Sequence, residues 1–199
     1  ADIAGISVAQ LYTEFDAVFS QGILQAHKGR LSFLHDQVQA AAADFLNVDQ
    51  RKERHLLIAR GYIDRIGSNQ SVESIPQEHI FSIVAHLAAG RIEQPSDEQR
   101  FEEAKFNFHA GIAAMASLTL DACNHYLTES VQLCTIDDWA SDYEFMLLLH
   151  KQLARAALVN GDQISASAII ETSIKHARTD FERAEFFYEQ SLVYSSSSV

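Results

Sequence analysis

The sequence contains few of the residues that interrupt helices, because only 2 prolines and 8 glycines occur among its 199 residues. Collagen-like and linker-like chains carry far more of both. A disordered tail is excluded as well, since hydrophobic residues make up 47% of the chain. The length allows one domain, or one and a half, with a sizeable core, and the scarcity of proline favours long uninterrupted helices.

Positive charge is also scarce, since 15 Lys and Arg residues stand against 27 Asp and Glu and leave a formal net charge of −12. Such a balance repels nucleic acid and anionic membranes. No apolar run approaches the roughly 20 residues that a membrane span needs. We therefore expect a cytoplasmic protein whose partners include no nucleic acid and no membrane.

Cysteine is limited to Cys123 and Cys134, which fall in one predicted helix, about 16 Å apart along its axis. That separation is too large for a disulfide, so we expect two free thiols, buried or half-buried, in a reducing compartment. The chain begins Ala-Asp-Ile, without an initiator Met and without a signal peptide. We therefore expect a piece of a longer protein.

The first 47 residues alternate between helical and strand patterns. Ser7 and Gln10 form a capping box for a helix at about 8–20, which ends near Gly22. The pattern then changes to two short strands, at 23–25 and 31–33, around a turn that contains Gly29. A helix at about 36–46 follows. Because a helix, a small hairpin and a helix end a winged-helix domain, residues 1–47 are predicted to be the C-terminal part of one.

Every segment after Asn47 has helical periodicity. Residues 48–95 are predicted to form connecting helices, at about 49–66 and 76–90. Ser96 and Gln99 form a second capping box, for a helix to Ala116, and further helices are predicted at about 119–133, 138–159, 162–177 and 180–194. In the helix at 138–159, residues three and four apart form one wide buried stripe: Trp139, Tyr143, Met146, Leu147, His150, Leu153, Ala154, Ala157 and Leu158.

Residues 96–199 repeat one spacing of small and bulky residues. Two sets recur in the same order and spacing: Ala110, Ala122 and Tyr126, then Ala154, Ala166 and Ile170. Small residues are needed where helices cross, because larger ones would push the axes beyond their usual ~8–10 Å separation. The spacing is similar to tetratricopeptide (TPR) hairpins with a long first helix, with a third, incomplete hairpin from residue 181. A generic helical bundle with Ala at its close contacts is the alternative.

The sequence lacks the motifs of a catalytic or metal site. Its glycines are scattered and form no phosphate-binding loop, and its 9 His residues show neither an HExxH pattern nor a CxxC partner. The pairs Glu102-Glu103 and Asp137-Asp138 are interpreted as solvated faces or helix caps, since adjacent helical residues do not face each other. We therefore predict no enzyme activity, no metal and no cofactor for this chain itself.

One short motif, Leu34-His35-Asp36, follows the second predicted strand and opens the next helix. In the simpler interpretation Asp36, alone or with His35, caps that helix. In the alternative, His35 points away from its own domain towards a neighbour.

The segment that holds this motif, FLHDQVQAAA, resembles the FLHDRVQQAAY segment of a large family of multidomain signalling kinases. Members carry a protein-kinase-like domain, an AAA/STAND-type ATPase and a helical repeat region, often followed by GAF or PAS sensors and a histidine kinase. Residues 55–60, 80–90, 104–126 and 139–162 are similar to later family segments, in the same order. Leu34, Gln37 and Ala43 stand where Met, Arg and Tyr are usual.

The resemblance implies that this chain joins the end of the ATPase's winged helix to a TPR-like superhelix. Leu34-His35-Asp36 is similar to the Met-His-Asp triplet of STAND switches, in which the His contacts a bound diphosphate, so His35 and Asp36 would sense nucleotide. ATP or ADP would bind in the ATPase and kinase domains of the parent, outside this chain. The parent would be a histidine or serine/threonine kinase, or both, in a two-component phosphorelay.

We thus expect a non-catalytic regulatory and protein-interaction module that couples partner or signal binding to kinase output. Its partners would be other domains of the same protein, with a regulatory protein or peptide as a further partner. The alternative is a freestanding TPR-like adaptor that binds a partner protein or peptide. DNA binding through the winged helix is favoured only by Lys28 and Arg30 and is opposed by the net charge.

Overall fold

The computed structural model describes residues 10, 13, 15–27, 30–66 and 75–196, which are mainly helical with one small antiparallel sheet. The first elements are α1 (Asp16–Ser20), β1 (Leu24–His27), β2 (Arg30–Phe33), α2 (Asp36–Asp44) and α3 (Val48–Ile66). They are followed by α4 (Gln77–Gly90), α5 (Asp97–Ala116), α6 (Leu120–Leu133), α7 (Asp138–Ser141), α8 (Tyr143–Val159), α9 (Gln163–His176) and α10 (Asp180–Ser196). Within these ranges no helix combines the length and the apolar character that crossing a membrane requires.

The strand hairpin confirms the change of pattern predicted after Gly22. Strands β1 and β2 pair antiparallel, from Leu24 opposite Phe33 to His27 opposite Arg30, so two residues connect them. The predicted cap residue Ser7 and the turn residue Gly29 both lie outside the described residues.

The chain divides into two compact units. One unit contains the residues up to Asn69 together with Ala85–Glu93, and the other contains Gln70–Val84 and Gln94–Val199. Helix α4 therefore contributes residues to both units. The predicted division into 1–47, 48–95 and 96–199 stays a prediction.

The predicted capping box at the start of α5 is confirmed. Ser96 Oγ accepts a hydrogen bond from Gln99 N at 3.2 Å, and Gln99 Oε1 accepts one from Ser96 N at 3.1 Å. The two side chains satisfy amide groups that the helix itself leaves unpaired.

Helices α5 and α6 form an antiparallel hairpin with very close backbone contact. Ala104 O accepts a hydrogen bond from the fully buried Ser130 Oγ at 2.7 Å. A Cβ added at Gly111 would lie 2.7 Å from Leu127 Cγ, far inside the separation of about 3.5–4.0 Å at which carbon atoms attract. Glycine at position 111 therefore allows the two helices to approach this closely.

The helix predicted over 138–159 is broken at Asp142, which separates α7 from α8. Asp142 has φ −145° and ψ 72°, outside the helical region. Its carboxylate accepts a hydrogen bond from Phe145 N at 3.3 Å and pairs with Lys105 Nζ of α5 at 2.7 Å. The side chain thus caps α8 and ties its first turn to α5. The predicted stripe survives the break, since none of its residues is exposed.

Helices α8 and α9 form the second hairpin, which reverses at Gly161. This glycine has φ +77°, the left-handed conformation expected for the Asn-Gly turn. Asp162 then caps α9 by accepting a hydrogen bond from Ser165 N at 3.0 Å. Helix α10 packs on the hairpin through Phe186, which is buried in one cluster with Ala154, Ala157, Ala166 and Ile170.

Helix α10 lies beside α8 and runs in the same direction. Lys151 Nζ pairs with Glu185 Oε1 at 2.8 Å, and Arg155 Nη2 pairs with Glu189 Oε1 at 2.7 Å. At the start of α10, the Glu182 carboxylate accepts hydrogen bonds from Thr179 N, Tyr143 OH and Arg178 N, each at 2.8 Å. These bonds, with that to Thr179 foremost, lower the pKa of Glu182.

A buried ion pair ties α5 to α7 and corrects the interpretation of Asp138. Arg100 donates from Nη1 and Nη2 to the two oxygens of Asp138, at 2.8 and 3.1 Å, and Thr135 N donates to the same carboxylate at 2.6 Å. Burial alone would raise the pKa of Asp138, but these hydrogen bonds outweigh it and lower the pKa. Asp138 and Glu103 are buried, so neither lies on a solvated face, whereas Asp137 is exposed.

Candidate functional site

The motif residues His35 and Asp36 lie at the start of α2. The backbone oxygen of His35 accepts hydrogen bonds from Val38 N at 3.0 Å and Gln39 N at 3.2 Å, which places His35 at the N-cap position. Both side chains are exposed. This position fits a cap as well as a histidine that faces a neighbouring domain.

The predicted crossing residues of the second hairpin come together in the core. Ala154, Ala166 and Ile170 are fully buried in the cluster that also contains Phe186. In the first hairpin Ala110 is fully buried, while Ala122 and Tyr126 are half-buried against a second cluster.

The first hairpin also brings Gly111 against Leu127, a close approach that the repeat spacing does not predict. A signal for it exists in the sequence, because glycine inside a helical pattern often has a packing reason.

An apolar groove of about 490 Å³ opens between the two helical hairpins and α10. We call it the hairpin groove, and its apolar lining consists of Met115, Leu120, Cys123, Ala156, Leu158 and Val159. Leu120 is 36% exposed and Val159 is 63% exposed, so the groove opens to solvent at these two residues. Its volume lies within the range of about 300–1,000 Å³ that is typical of binding clefts.

One ion pair completes the wall of the hairpin groove. Arg155 donates from Nε to Glu189 Oε1 at 2.8 Å and holds the same oxygen from Nη2 at 2.7 Å. Glu189 is buried, so its charge is compensated within the wall. The groove therefore suits apolar side chains.

The two cysteines are free thiols, as predicted, and neither is activated. Cys123 is fully buried at the groove and Cys134 is half-buried at the end of α6. Burial raises the pKa of Cys123, and burial with the nearby Asp138 carboxylate raises the pKa of Cys134 to about 12. Because the thiolate is the nucleophile, both shifts oppose reaction of these thiols near neutral pH.

A pair of histidines joins α3 to the end of α4 within the first unit. His55 Nδ1 and His86 Nδ1 lie 2.8 Å apart, so one ring donates the hydrogen bond and the other accepts it. Burial, and then the neighbouring His55, lower the pKa of His86. The sequence does not predict this contact, because no sequence signal links residues on two different helices.

A second histidine cluster surrounds Trp139 in the other unit. The indole ring stacks on His176, with centroids 4.3 Å apart, and lies 4.8 Å from the ring of His150. His150 Nδ1 donates to Met146 O at 2.8 Å, which leaves Nε2 as the acceptor of the neutral ring. Burial lowers the pKa of His150, and the charge of His176 acts in the same direction.

Lowering the pH from about 7.5 to about 5.5 is expected to reduce the free energy of unfolding. The pKa values of His86 and His150 are depressed in the folded state, so below their ordinary 6.5 the unfolded chain binds more protons. This stability is complete above 6.5 and is lost as the pH falls below that value through the lower pKa values of the folded state. Urea midpoints at the two pH values measure the effect. A variant with His86→Gln and His150→Gln should show a smaller pH difference, and an equal one would contradict the assignment.

Metal binding receives no support from the residues that the structure describes. No group of three or more His, Cys, Asp or Glu side chains among them is arranged to hold a metal ion.

Comparison of the sequence with models of protein families found no match. Searches of curated proteins and of solved structures found none either. The chain is therefore classed by its fold alone, as mainly helical with a small antiparallel hairpin.

Proposed function

We propose that this chain is a non-catalytic regulatory and protein-interaction module, in which TPR-like hairpins couple partner binding to kinase output in a larger cytoplasmic signalling protein. The observation that carries the proposal is the hairpin groove. It combines an apolar lining, exposed at Leu120 and Val159, with a wall in which the two charged residues found among the described ones, Arg155 and Glu189, neutralise each other. Such a surface favours the burial of apolar side chains from another chain or domain.

The order and direction of the helices support the repeat part of the proposal. Helices α5 and α8 each precede an antiparallel partner, and Lys105–Asp142 and Phe108–Phe145 contacts set α5 beside α8 in parallel. Helix α10 continues the series, since it is parallel to α8. Stacked hairpins of this kind build a superhelix in which each unit contacts only its neighbours. In this proposal α5, α8 and α10 are the first helices of three successive units.

The region around α2 supports the nucleotide-sensing part of the proposal. A strand hairpin followed by a helix that begins at His35-Asp36 fits the end of a winged helix, and the His35 ring is free to reach outwards. A histidine that donates to a phosphate oxygen makes a charge-assisted hydrogen bond of about 1.5–3 kcal/mol. Loss of this bond would shift the balance between a closed and an open state.

The role of the groove is tested in the full-length protein that contains this chain. The groove variant carries Leu120→Gln and Val159→Gln, and its matched control carries Ile136→Gln and Ile164→Gln. Ile136 and Ile164 are also exposed apolar residues, at 67% and 86%, and they do not line the groove. We expect kinase output to change by about fivefold or more in the groove variant and to stay unchanged in the control. Equal output in all three proteins would remove the interaction role.

The nucleotide role is tested separately with His35→Ala in the same full-length protein. ADP affinity should fall about tenfold or more, the loss expected for one charge-assisted hydrogen bond. His27→Ala is the control, because His27 is an exposed histidine in the neighbouring strand. If the His35 variant and the control keep the same ADP affinity, His35 is only a helix cap.

A further inference from the structure

We propose that the hairpin groove binds a cationic amphipathic helix of a partner protein, with apolar residues in the groove and Lys or Arg residues over its acidic surroundings. This inference rests on the proposed interaction function and deepens it by naming the chemistry of the partner.

The shape and the lining of the groove favour a short row of apolar side chains. Leu120 begins α6 and Val159 ends α8, so the two exposed residues mark the mouth, with Ala156 and Cys123 buried behind them. An amphipathic helix presents apolar anchors at positions i, i+3, i+4 and i+7, which suit such a groove.

The charge around the groove favours a cationic partner. Residues 94–199 contain 16 Asp and Glu residues against 7 Lys and Arg. Five of these seven cations, namely Arg100, Lys105, Lys151, Arg155 and Arg183, already form ion pairs with carboxylates. The surface of this unit therefore carries a large excess of negative charge.

Two carboxylates adjoin the mouth in the sequence. Asp121 follows the lining residue Leu120, and Asp162 follows the turn that ends α8 after Val159. Both are exposed, and within the described part of this unit neither forms an ion pair that would cancel its charge.

The same charge argues against a second copy of this chain as the occupant. Two copies would bring the two acidic surfaces together, because each chain carries a net charge of −12. Like charges across an interface oppose association, whereas opposite charges speed it and favour the correct partner.

The experiment uses three fluorescently labelled synthetic peptides, each about 18 residues long, or about 27 Å as a helix. The first has a Leu face and a Lys face, the second replaces every Lys by Glu, and the third scrambles the Lys peptide so that no apolar face forms. Binding to the chain is measured by fluorescence anisotropy. The first peptide should bind about tenfold or more tightly than each of the others, and its affinity should fall when NaCl is raised from about 50 to about 300 mM.

The groove variant locates the binding site. Leu120→Gln with Val159→Gln should weaken binding of the Lys peptide about tenfold, and Ile136→Gln with Ile164→Gln should leave it within about twofold. Both variants are expected to fold, because the substituted residues are exposed. Circular dichroism checks this. Equal binding to both variants would overturn the groove as the site, and equal binding of the Lys and Glu peptides would overturn the charge of the partner. If no peptide binds but kinase output still responds to the groove variant, the partner chemistry is wrong and the interaction function stands.

Discussion

Replacing Phe186 by alanine is expected to lower the free energy of unfolding by about 4 kcal/mol. The Phe186 ring is 1% exposed and is, among the described residues, the aromatic group of the cluster that holds α10 on the second hairpin. Its buried neighbours include Ala154 and Ala166, whose side chains are too small to fill the space that a truncated ring would leave. The cavity therefore persists, and its cost adds to the lost transfer energy. Urea denaturation followed by far-ultraviolet circular dichroism measures the change.

The adjacent residue provides the control for this prediction. Phe187 is 54% exposed, so Phe187→Ala removes the same ring from solvent-facing surface and should change stability by no more than about 0.5 kcal/mol. Similar losses in the two variants would show that α10 is not anchored by Phe186.

Replacing Asp138 by alanine is expected to cost about 3 kcal/mol of stability. The substitution leaves the Arg100 guanidinium, whose side chain is 15% exposed, without the carboxylate that holds it through two hydrogen bonds. It also removes the acceptor for Thr135 N. The guanidinium then keeps, among the described residues, the Leu133 carbonyl oxygen and the exposed Asp97 carboxylate, 3.6 Å from Nε, as partners, while the Thr135 amide loses this acceptor. Removing one partner of a buried ion pair in this way makes the loss large.

The preceding residue is again the matched control. Asp137 is exposed, and its side chain makes no capping hydrogen bond. Asp137→Ala should therefore change the urea midpoint very little. If Asp137→Ala lowers the free energy of unfolding as much as Asp138→Ala does, the negative charge of this turn stabilises the fold, and not the ion pair with Arg100.

The helices could be predicted from the sequence because their stabilisation is local or periodic. The capping box of Ser96 and Gln99 and the reversal at Gly161 depend on residues a few positions apart, and both are present. The break at Asp142 could not be predicted in this way. The carboxylate at this break pairs with Lys105, which lies in a different helix, so part of its environment is not local in the sequence. The buried Asp138 pairs in the same manner with Arg100.

The hairpin groove was harder to predict than the helices because its residues come from four of them. Met115, Leu120 and Val159 each look like ordinary apolar helix residues in the sequence. Only the packing of α5, α6 and α10 with α8 brings them together as the lining of one opening. The repeat spacing did place Ala154, Ala166 and Ile170 in a common core, since small residues at a crossing are a packing requirement.

The position of Trp139 decides what intrinsic fluorescence can report about this protein. Trp139 is the single tryptophan of the chain, and it belongs to the unit that contains Gln94–Val199. Its emission therefore follows the loss of structure in that unit only, whereas circular dichroism sums the helices of both. Denaturation curves from the two signals will coincide only if the two units unfold as one cooperative system. A difference between the midpoints of the two curves would show that the two units unfold independently.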